Sequence, residues 1–354
     1  MSRTILIMAG GTGGHIFPAL AVADELRNAG FKVVWLGTRS GMEARLVPEK
    51  GYEIEYIKIS GVRKSGILRW MFMPINLLVA CMQSVSVILR HRPDVVLGMG
   101  GFASFPGGLT AAMLGRPLVI HEQNAIAGLT NSLLSKMAGR VLVAFPGVLG
   151  KKAILVGNPV RKDIASLPAP EVRFEKRQGP LQLLVLGGSR GARAINETVP
   201  KALGMMEKGS RPTVLHQSGE ADIDYVKGIY LAAGVGANVV PFIGDMAMAY
   251  GECDLVLARS GALTVAEIAA AGVASILVPY PHAVDDHQKF NARYLSDSGA
   301  AVLIPQDELD AAKLAQLLKS MDRTRLLEMG KQARHLARAD ATGKAAEICM
   351  GIAA

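Results

Sequence analysis

Short runs of consecutive apolar residues recur along this chain, and between them lie longer segments in which apolar residues are three or four positions apart. The short runs are rich in valine, isoleucine and leucine, which is typical of strands buried on both faces of a parallel sheet. The spaced segments predict helices that cover those faces. The predicted strands lie at 5–9, 33–36, 95–97, 118–120, 181–186, 214–216 and 255–258. The alternation predicts right-handed βαβ crossovers and an α/β fold with doubly wound parallel sheets.

Four of these predicted strands lead directly into loops suited to anions. The first enters the sequence GGTGGH at 10–15, and comparable loops begin at 98, 187 and 259. Glycine lets the backbone turn tightly and expose its N–H groups, and a following helix N-terminus favours negative charge. One such loop is more often a packing device, but the recurrence predicts two similar halves.

The chain has 354 residues, which are too many for one compact core and predict two α/β domains. Glycine and proline near 156–161 interrupt regular structure. We therefore expect an N-terminal domain at 1–160 and a C-terminal domain at 161–339. The closing segment, about 340–354, is predicted to be a helix that can pack back on the first domain.

The net charge of +9 lies entirely in the first predicted domain. Residues 1–160 contain 17 lysines and arginines against 8 acids, whereas the remainder has 22 of each. Segment 58–92 carries six of these cations and no acid. This surplus indicates an anionic partner, which could be nucleic acid, a phosphorylated substrate or an acidic membrane surface. The alternative is charge that serves solubility alone.

Within this basic segment lies an uncharged apolar stretch at 70–89. Its length is about that of a membrane span, but Pro74 and several polar residues interrupt it and argue against a transmembrane helix. We expect an exposed apolar patch at 67–72 and, after Pro74, a helix that lies mostly in the core. Such a patch favours peripheral binding to an anionic membrane through residues near 61–92. An ordinary loop followed by a buried helix is the alternative.

The three cysteines are widely separated and form no CxxC pair. They predict small core residues of a reducing cytoplasm, without a disulfide or a zinc site. No residues show metal-ligand spacing, so we expect neither a metal nor a cofactor. The N-terminal apolar run is too short to predict a signal peptide.

A dinucleotide site would need an acid at the end of the second strand of either half, and neither half supplies one, although Arg39 could bind an NADP phosphate.

Several polar residues lie where ligands bind in open α/β sheets, at the ends of predicted strands. His15 follows the first glycine loop and is a candidate general base near pH 7. His121-Glu122-Gln123-Asn124 follows another strand. In the second half, Glu267 falls just after a glycine turn that opens a helix. The amides there could hold a diphosphate and the carboxylate two ribose hydroxyls, although a surface carboxylate is the commoner explanation.

In order along the chain, these motifs resemble those of the MurG-type glycosyltransferases of bacterial peptidoglycan synthesis. The segments are GGTGGHIFPALAVA, VLGMGGFASFPG, HEQNAIAGLTN, VGNPVR, GGSRGA, RSGALTVAEIAAAG and HQKFNA. The resemblance implies the GT-B fold, two Rossmann-like domains facing a central cleft. It also implies inverting transfer of N-acetylglucosamine from UDP-N-acetylglucosamine to the C4 hydroxyl of undecaprenyl-diphospho-muramoyl-pentapeptide. This would occur on the cytoplasmic face of the membrane, without nucleic acid.

The resemblance further implies roles for individual residues. The positions expected to bind the UDP-sugar are Thr12, Gly13, Gly14, Asn124, Arg161, Ser189, Ile243, Ala262, Leu263, Thr264, Val265, Ala266, Glu267 and Gln288. Ile243 would hold the uracil edge through its backbone, and His287 is an alternative to Gln288. Our own hypothesis for the mechanism takes His15, or else Glu122, as the base. A UDP-N-acetylglucosamine 2-epimerase and a non-enzymatic binder of polyprenyl phosphates are the alternative functions.

Overall fold

The computed structural model describes residues 3–59, 72–187 and 192–353. The chain divides into two compact units. The first comprises Met1–Arg161 together with Arg338–Ala354, and the second comprises Lys162–Ala337. Residues 67–71 of the expected apolar patch at 67–72 and the loop residue Ser189 lie outside the described residues, whereas Phe72 at the end of that patch is described and exposed.

The first unit is built on a parallel sheet of seven strands in the order β3-β2-β1-β4-β5-β6-β7. The strands are β1 (Thr4–Met8), β2 (Lys32–Gly37), β3 (Glu53–Tyr56), β4 (Val95–Gly98), β5 (Leu118–Glu122), β6 (Arg140–Val143) and β7 (Ile154–Leu155). The helices of this part are α1 (Gly13–Asn28), α2 (Glu43–Glu49), α3 (Met73–His91), α4 (Ser104–Met113) and α5 (Leu129–Leu134). The central strands are buried on both faces, as their unbroken apolar runs predict.

The second unit repeats this plan with six parallel strands in the order β10-β9-β8-β11-β12-β13. The strands are β8 (Gln182–Leu186), β9 (Thr213–Gln217), β10 (Asn238–Val240), β11 (Leu255–Ala258), β12 (Ala274–Leu277) and β13 (Ala301–Leu303). The helices are α6 (Lys162–Ala165), α7 (Pro170–Phe174), α8 (Arg193–Gly204), α9 (Ile223–Ala232), α10 (Met246–Glu252), α11 (Ala262–Ala271), α12 (His287–Ser296), α13 (Ala311–Lys319) and α14 (Arg323–Leu336).

Each sheet has one point at which the strand order reverses. In the first unit this point lies between β1 and β4, where Met8 pairs with Gly98. In the second it lies between β8 and β11, where Leu186 pairs with Ala258. Loops leaving the carboxyl ends of two such strands diverge to opposite faces of the sheet and leave a crevice that can take a ligand.

The last helix of the chain, α15 (Ala341–Ala353), belongs to the first unit. Its residues Ala345 and Cys349 are buried in the same core cluster as Ile16 of α1. The Thr342 hydroxyl donates a hydrogen bond to the carbonyl of Val160, 3.0 Å away. The end of the chain therefore completes the core of the domain with which it begins.

Helix α3 differs from the sequence prediction. We expected it to lie mostly in the core, but it buries only one narrow side, formed by Ala80, Ser84, Val87 and Ile88. The opposite side exposes Ile75, Leu78, Met82 and Leu89. The prediction was wrong because this helix is apolar on both sides, so its periodicity contains no polar face to mark the solvent.

Candidate functional site

The loops that follow β1 and β4 approach each other at the reversal point of the first sheet. Gly101 has φ +89°, and a Cβ added there would collide with the carbonyl of Gly10. Gly100 has φ +93° and faces the imidazole of His15, where an added Cβ would lie 2.9 Å from Nδ1. Glycine at both positions therefore lets two backbones and one ring pack closely together.

His15 lies in the first turn of α1 and is half-buried. Its Nδ1 is 3.1 Å from Oε1 of Gln123, which lies just beyond the end of β5. The Gln123 side chain donates from Nε2 to the carbonyl of Met99, 2.8 Å away. Residues that follow three neighbouring strands, β1, β4 and β5, therefore fix the position of the imidazole ring.

The predicted anion loop opens α1 as expected. Thr12 is extended and exposed, and its carbonyl accepts from the amides of His15 and Ile16. Gly13 and Gly14 are the first helical residues, and the first turn contains no acidic side chain. The first amides of a helix have no hydrogen-bond partner within the helix. Together with the helix dipole they create a positive potential at its N-terminus. This end of α1 can therefore hold a phosphate oxygen.

Glu43, which the sequence analysis missed, stabilises this loop through hydrogen bonds to its backbone. Its carboxylate is completely buried. Oε2 accepts from the amide of Gly11 at 3.1 Å, and Oε1 accepts from the amide and the hydroxyl of Thr38 at 2.9 and 2.7 Å. The side chain also fills the space that side chains at Gly10 and Gly37 would need. A carboxylate in the first turn of a helix is ordinary in a sequence, so only the flanking glycines could have signalled it.

Glu122 is also buried, and both of its oxygens are occupied. Oε1 accepts from the backbone and side-chain nitrogens of Asn124, at 2.9 and 3.2 Å. Oε2 accepts from the amide of Gly128 at 3.1 Å and from Asn131 at 2.9 Å. Four donors therefore converge on one carboxylate, which holds the loop after β5 and leaves Asn124 partly exposed.

His121 precedes this carboxylate and is fully buried in β5. Its Nε2 donates to the carbonyl of Gly157 at 2.8 Å. Burial lowers the pKa of His121 to about 4, so the ring is neutral near pH 7. The polar residues at 121–124 therefore have different roles. His121 and Glu122 hold the backbone of this region, whereas Gln123 contacts the imidazole of His15.

In the second unit, β11 leads through Ser260 and Gly261 into α11. The Ser260 hydroxyl donates to the carbonyl of Gln288 at 2.8 Å, and Asn291 donates to the carbonyl of Ser260 at 3.2 Å. These bonds join the start of α11 to α12. Among the six predicted donor-binding positions at 262–267, Ala262 and Val265 pack in the core, whereas Leu263, Thr264 and Ala266 are partly exposed.

Glu267 lies in the second turn of α11 with 6% of its surface exposed. The hydroxyl of Tyr250 donates to its Oε2 at 3.2 Å. The alternative of an ordinary surface carboxylate is therefore wrong. It lies near the N-terminus of α11, a helix end that attracts anions, at the position where the sequence analysis expects a carboxylate for the ribose.

The other predicted donor-binding residues have mixed surroundings. The backbone amide of Ile243 already donates to Oε1 of Gln217 at 3.0 Å, which leaves its carbonyl for a ligand. Gln288 accepts through Oε1 from the amide of Tyr280 at 3.0 Å, so its side-chain nitrogen can donate. Arg161 is half-buried as the last residue of the N-terminal segment of the first unit.

Both halves of the chain match models of known protein domains. Residues 5–143 match the glycosyltransferase family 28 N-terminal domain. Residues 182–345 match the glycosyltransferase family 28 C-terminal domain.

Full-length relatives carry one shared name, UDP-N-acetylglucosamine--N-acetylmuramyl-(pentapeptide) pyrophosphoryl-undecaprenol N-acetylglucosamine transferase. The protein of that name from Cupriavidus metallidurans is 54% identical over 352 residues, 99% of each chain. That from Azoarcus sp. is 55% identical over 351 residues, 99% of this chain and 98% of the relative. The crystal structure of Acinetobacter baumannii MurG shares 41% identity and a TM-score of 0.87, covering 99% of both chains. The glycosyltransferase of kitacinnamycin, with 18% identity and a TM-score of 0.71, shares the fold.

Proposed function

Because the chain belongs to the MurG family within glycosyltransferase family 28, we propose that it transfers N-acetylglucosamine from UDP-N-acetylglucosamine to undecaprenyl-diphospho-muramoyl-pentapeptide. The predicted GT-B fold class, with two Rossmann-like parallel-sheet domains, is confirmed. The site observation that carries the reaction is His15, held by Gln123 beside the anion-binding start of α1. The first domain then binds the acceptor and the second the donor.

The donor is held by the second domain through the start of α11. Its amides and the partial positive charge of the helix N-terminus stabilise the diphosphate. The buried Glu267 accepts hydrogen bonds from the ribose, and the carbonyl of Ile243 accepts one from the uracil. The side-chain nitrogen of Gln288 donates to a sugar hydroxyl. Ser189 and Arg161 are assigned to the same ligand by their motif positions, as are Thr12, Gly13, Gly14 and Asn124.

The chemical step is a single displacement with inversion. The C4 hydroxyl oxygen of the muramoyl sugar attacks the anomeric carbon of the donor, and its proton passes to Nε2 of His15. The bond between the anomeric carbon and the diphosphate oxygen breaks, and UDP leaves with that electron pair. Fixed amides at a helix start can stabilise the charge that develops on UDP without rearranging during the reaction.

His15 is a better base than Glu122, which was the other candidate. The Glu122 carboxylate already accepts from four donors that fix the loop after β5. Taking a proton would weaken these bonds, because a protonated carboxyl is a poorer acceptor. Within the described part of the chain, Nε2 of His15 has no such partner.

The first domain rests on an anionic membrane surface, peripherally and from the cytoplasmic side. The exposed side of α3 presents Ile75, Leu78, Met82 and Leu89, with Arg90 and Arg92 exposed at its end. Apolar side chains beside cations suit the interface of a charged bilayer. By length and composition alone α3 could cross a membrane, but its other side packs in the domain. An undecaprenyl carrier requires such contact with the bilayer.

The test of this function is transfer of labelled N-acetylglucosamine from the UDP-sugar to a short-chain analogue of the lipid acceptor. Labelled disaccharide and released UDP that both depend on the acceptor would support the transferase. Conversion of the UDP-sugar without acceptor would support a 2-epimerase instead. Binding of the acceptor analogue with neither turnover nor affinity for the UDP-sugar would support a non-enzymatic binder.

A further inference from the structure

We infer that Gln123 is a positioning residue that fixes the tautomer of His15, with the proton on Nδ1 and the lone pair on Nε2. The inference deepens the proposed function, because it rests on His15 as the base of that reaction. It concerns which nitrogen can accept the proton of the acceptor hydroxyl. A neutral imidazole offers only one such nitrogen at a time.

The orientation of the Gln123 amide follows from its partners. The carbonyl of Met99 lies 2.8 Å from the end of this side chain, and a backbone carbonyl can only accept a hydrogen bond. The NH₂ group of Gln123 must therefore face Met99, which turns Oε1 toward His15. Gln123 is buried, so the reverse orientation would place two acceptors against each other away from water.

The protonation of His15 follows in turn. Oε1 of Gln123 lies 3.1 Å from Nδ1 of His15 and needs a donor, and among the described residues Nδ1–H of His15 is the group that supplies it. The ring is packed against Gly100, where any Cβ would lie 2.9 Å from Nδ1 and Cε1. In the neutral ring, Nε2 then carries the lone pair, and it makes no hydrogen bond within the described residues. The amide thus does for this imidazole what a carboxylate does in a catalytic triad, without adding charge.

The direct test is the nitrogen chemical shifts of the imidazole in protein labelled with ¹⁵N-histidine. Spectra are recorded at about pH 8.5, where an ordinary histidine is neutral, and His15→Gln identifies the His15 signals. The parent is expected to show a protonated Nδ1 and an unprotonated Nε2. In Gln123→Leu, the Nε2–H form should become populated. A parent with its proton on Nε2, or a tautomer unchanged in Gln123→Leu, would overturn the inference.

Kinetics provide a second readout that simple packing would not move. Gln123→Leu should lower kcat about 10- to 100-fold, as loss of an orienting partner commonly does, with little change in either KM. Gln123→Glu keeps an acceptor for Nδ1–H and should retain the Nδ1–H tautomer and more activity than Gln123→Leu. A role in core packing alone predicts the opposite order, because leucine tolerates burial better than glutamate. That order would overturn the inference.

The two experiments separate this inference from the proposed function. Thermal unfolding of both variants establishes that the first domain is folded before the rates are compared. If Gln123→Leu loses the tautomer but keeps full turnover, the tautomer assignment is supported and the role of His15 as base is wrong.

Discussion

The two domains reverse their strand order at equivalent points of their sheets, but the loops at these points carry different side chains. At the reversal between β1 and β4, the imidazole of His15 follows a loop whose backbone is held by the buried carboxylate of Glu43, and Glu122 holds the neighbouring loop after β5. At the reversal between β8 and β11, the described loop is held by Ser260 and Asn291, and its carboxylate, Glu267, is partnered by a tyrosine. Under the proposed function, one architecture therefore serves proton transfer in one domain and nucleotide binding in the other.

The difference shows what the fold contributes and what the side chains contribute. Both domains supply a helix start whose free amides attract anions. The proposed division of roles rests on a few side chains at strand ends, and the fold alone would not reveal it. Substitutions of these side chains should therefore affect proton transfer when they are made in the first domain and donor binding when they are made in the second.

The largest effect is expected for His15→Gln. Loss of the general base should lower kcat by about 10²- to 10⁴-fold. The KM for UDP-N-acetylglucosamine should stay nearly unchanged, because most of the proposed donor contacts belong to the second domain and none is assigned to His15. Steady-state kinetics with both substrates measures this, with His335→Gln in the second domain as an exposed control. Turnover in His15→Gln within about threefold of the parent is too high for loss of a base and would disprove the assignment.

A smaller effect, common to both domains, is expected at acid pH. Burial lowers the pKa of His121 and of His216 to about 4, from 6.5 in the unfolded chain. Between these values the unfolded chain binds a proton that the folded domain does not, so stability falls as pH decreases from 6.5 toward 4. The loss is about 3 kcal/mol for each histidine.

Urea unfolding at about pH 8 and about pH 5, on either side of the ordinary histidine pKa, should show about 2 kcal/mol of this loss for each histidine, because pH 5 lies within the interval. His216→Gln should reduce the pH dependence of the second domain and leave that of the first unchanged. His335→Gln should alter neither, because that side chain is exposed. An unaltered slope in His216→Gln would show that this histidine is not the group that titrates.

Much of this architecture was predictable because its signals are local. Unbroken apolar runs mark buried strands, and glycines directly after them mark the loops of the reversal points. The contacts that define the sites are not local. Glu43 lies 32 residues from the amide of Gly11 that it accepts from, and Gln123 lies 108 residues from His15. Such pairs become neighbours only after the sheet is assembled, and no spacing rule connects them.

Glu267→Gln and Glu122→Gln compare one carboxylate from each domain. Glu267→Gln should raise the KM for UDP-N-acetylglucosamine about tenfold, because a charged acceptor is replaced by a weaker neutral one. Glu122→Gln should instead lower the unfolding temperature of the first domain, since a carboxamide cannot accept from four donors through two oxygens. Isothermal titration with UDP and thermal unfolding distinguish these outcomes. If both variants weaken UDP binding equally, the proposed separation of roles is wrong.

The smallest effect concerns the membrane, which the proposal assigns to the first domain alone. Leu78 on α3 is 60% exposed and Leu231 on α9 is 83% exposed, so serine at either position should change stability little. Leu78→Ser should weaken association with vesicles of anionic lipid about three- to tenfold, since a leucine side chain contributes up to about 2 kcal/mol when buried. Leu231→Ser should not weaken this association.

Added salt should weaken the association of the parent and of Leu78→Ser alike, because it screens the cations rather than the apolar face. Equal losses in the two variants would mean that any exposed leucine contributes, and the exposed side of α3 would then be ordinary surface.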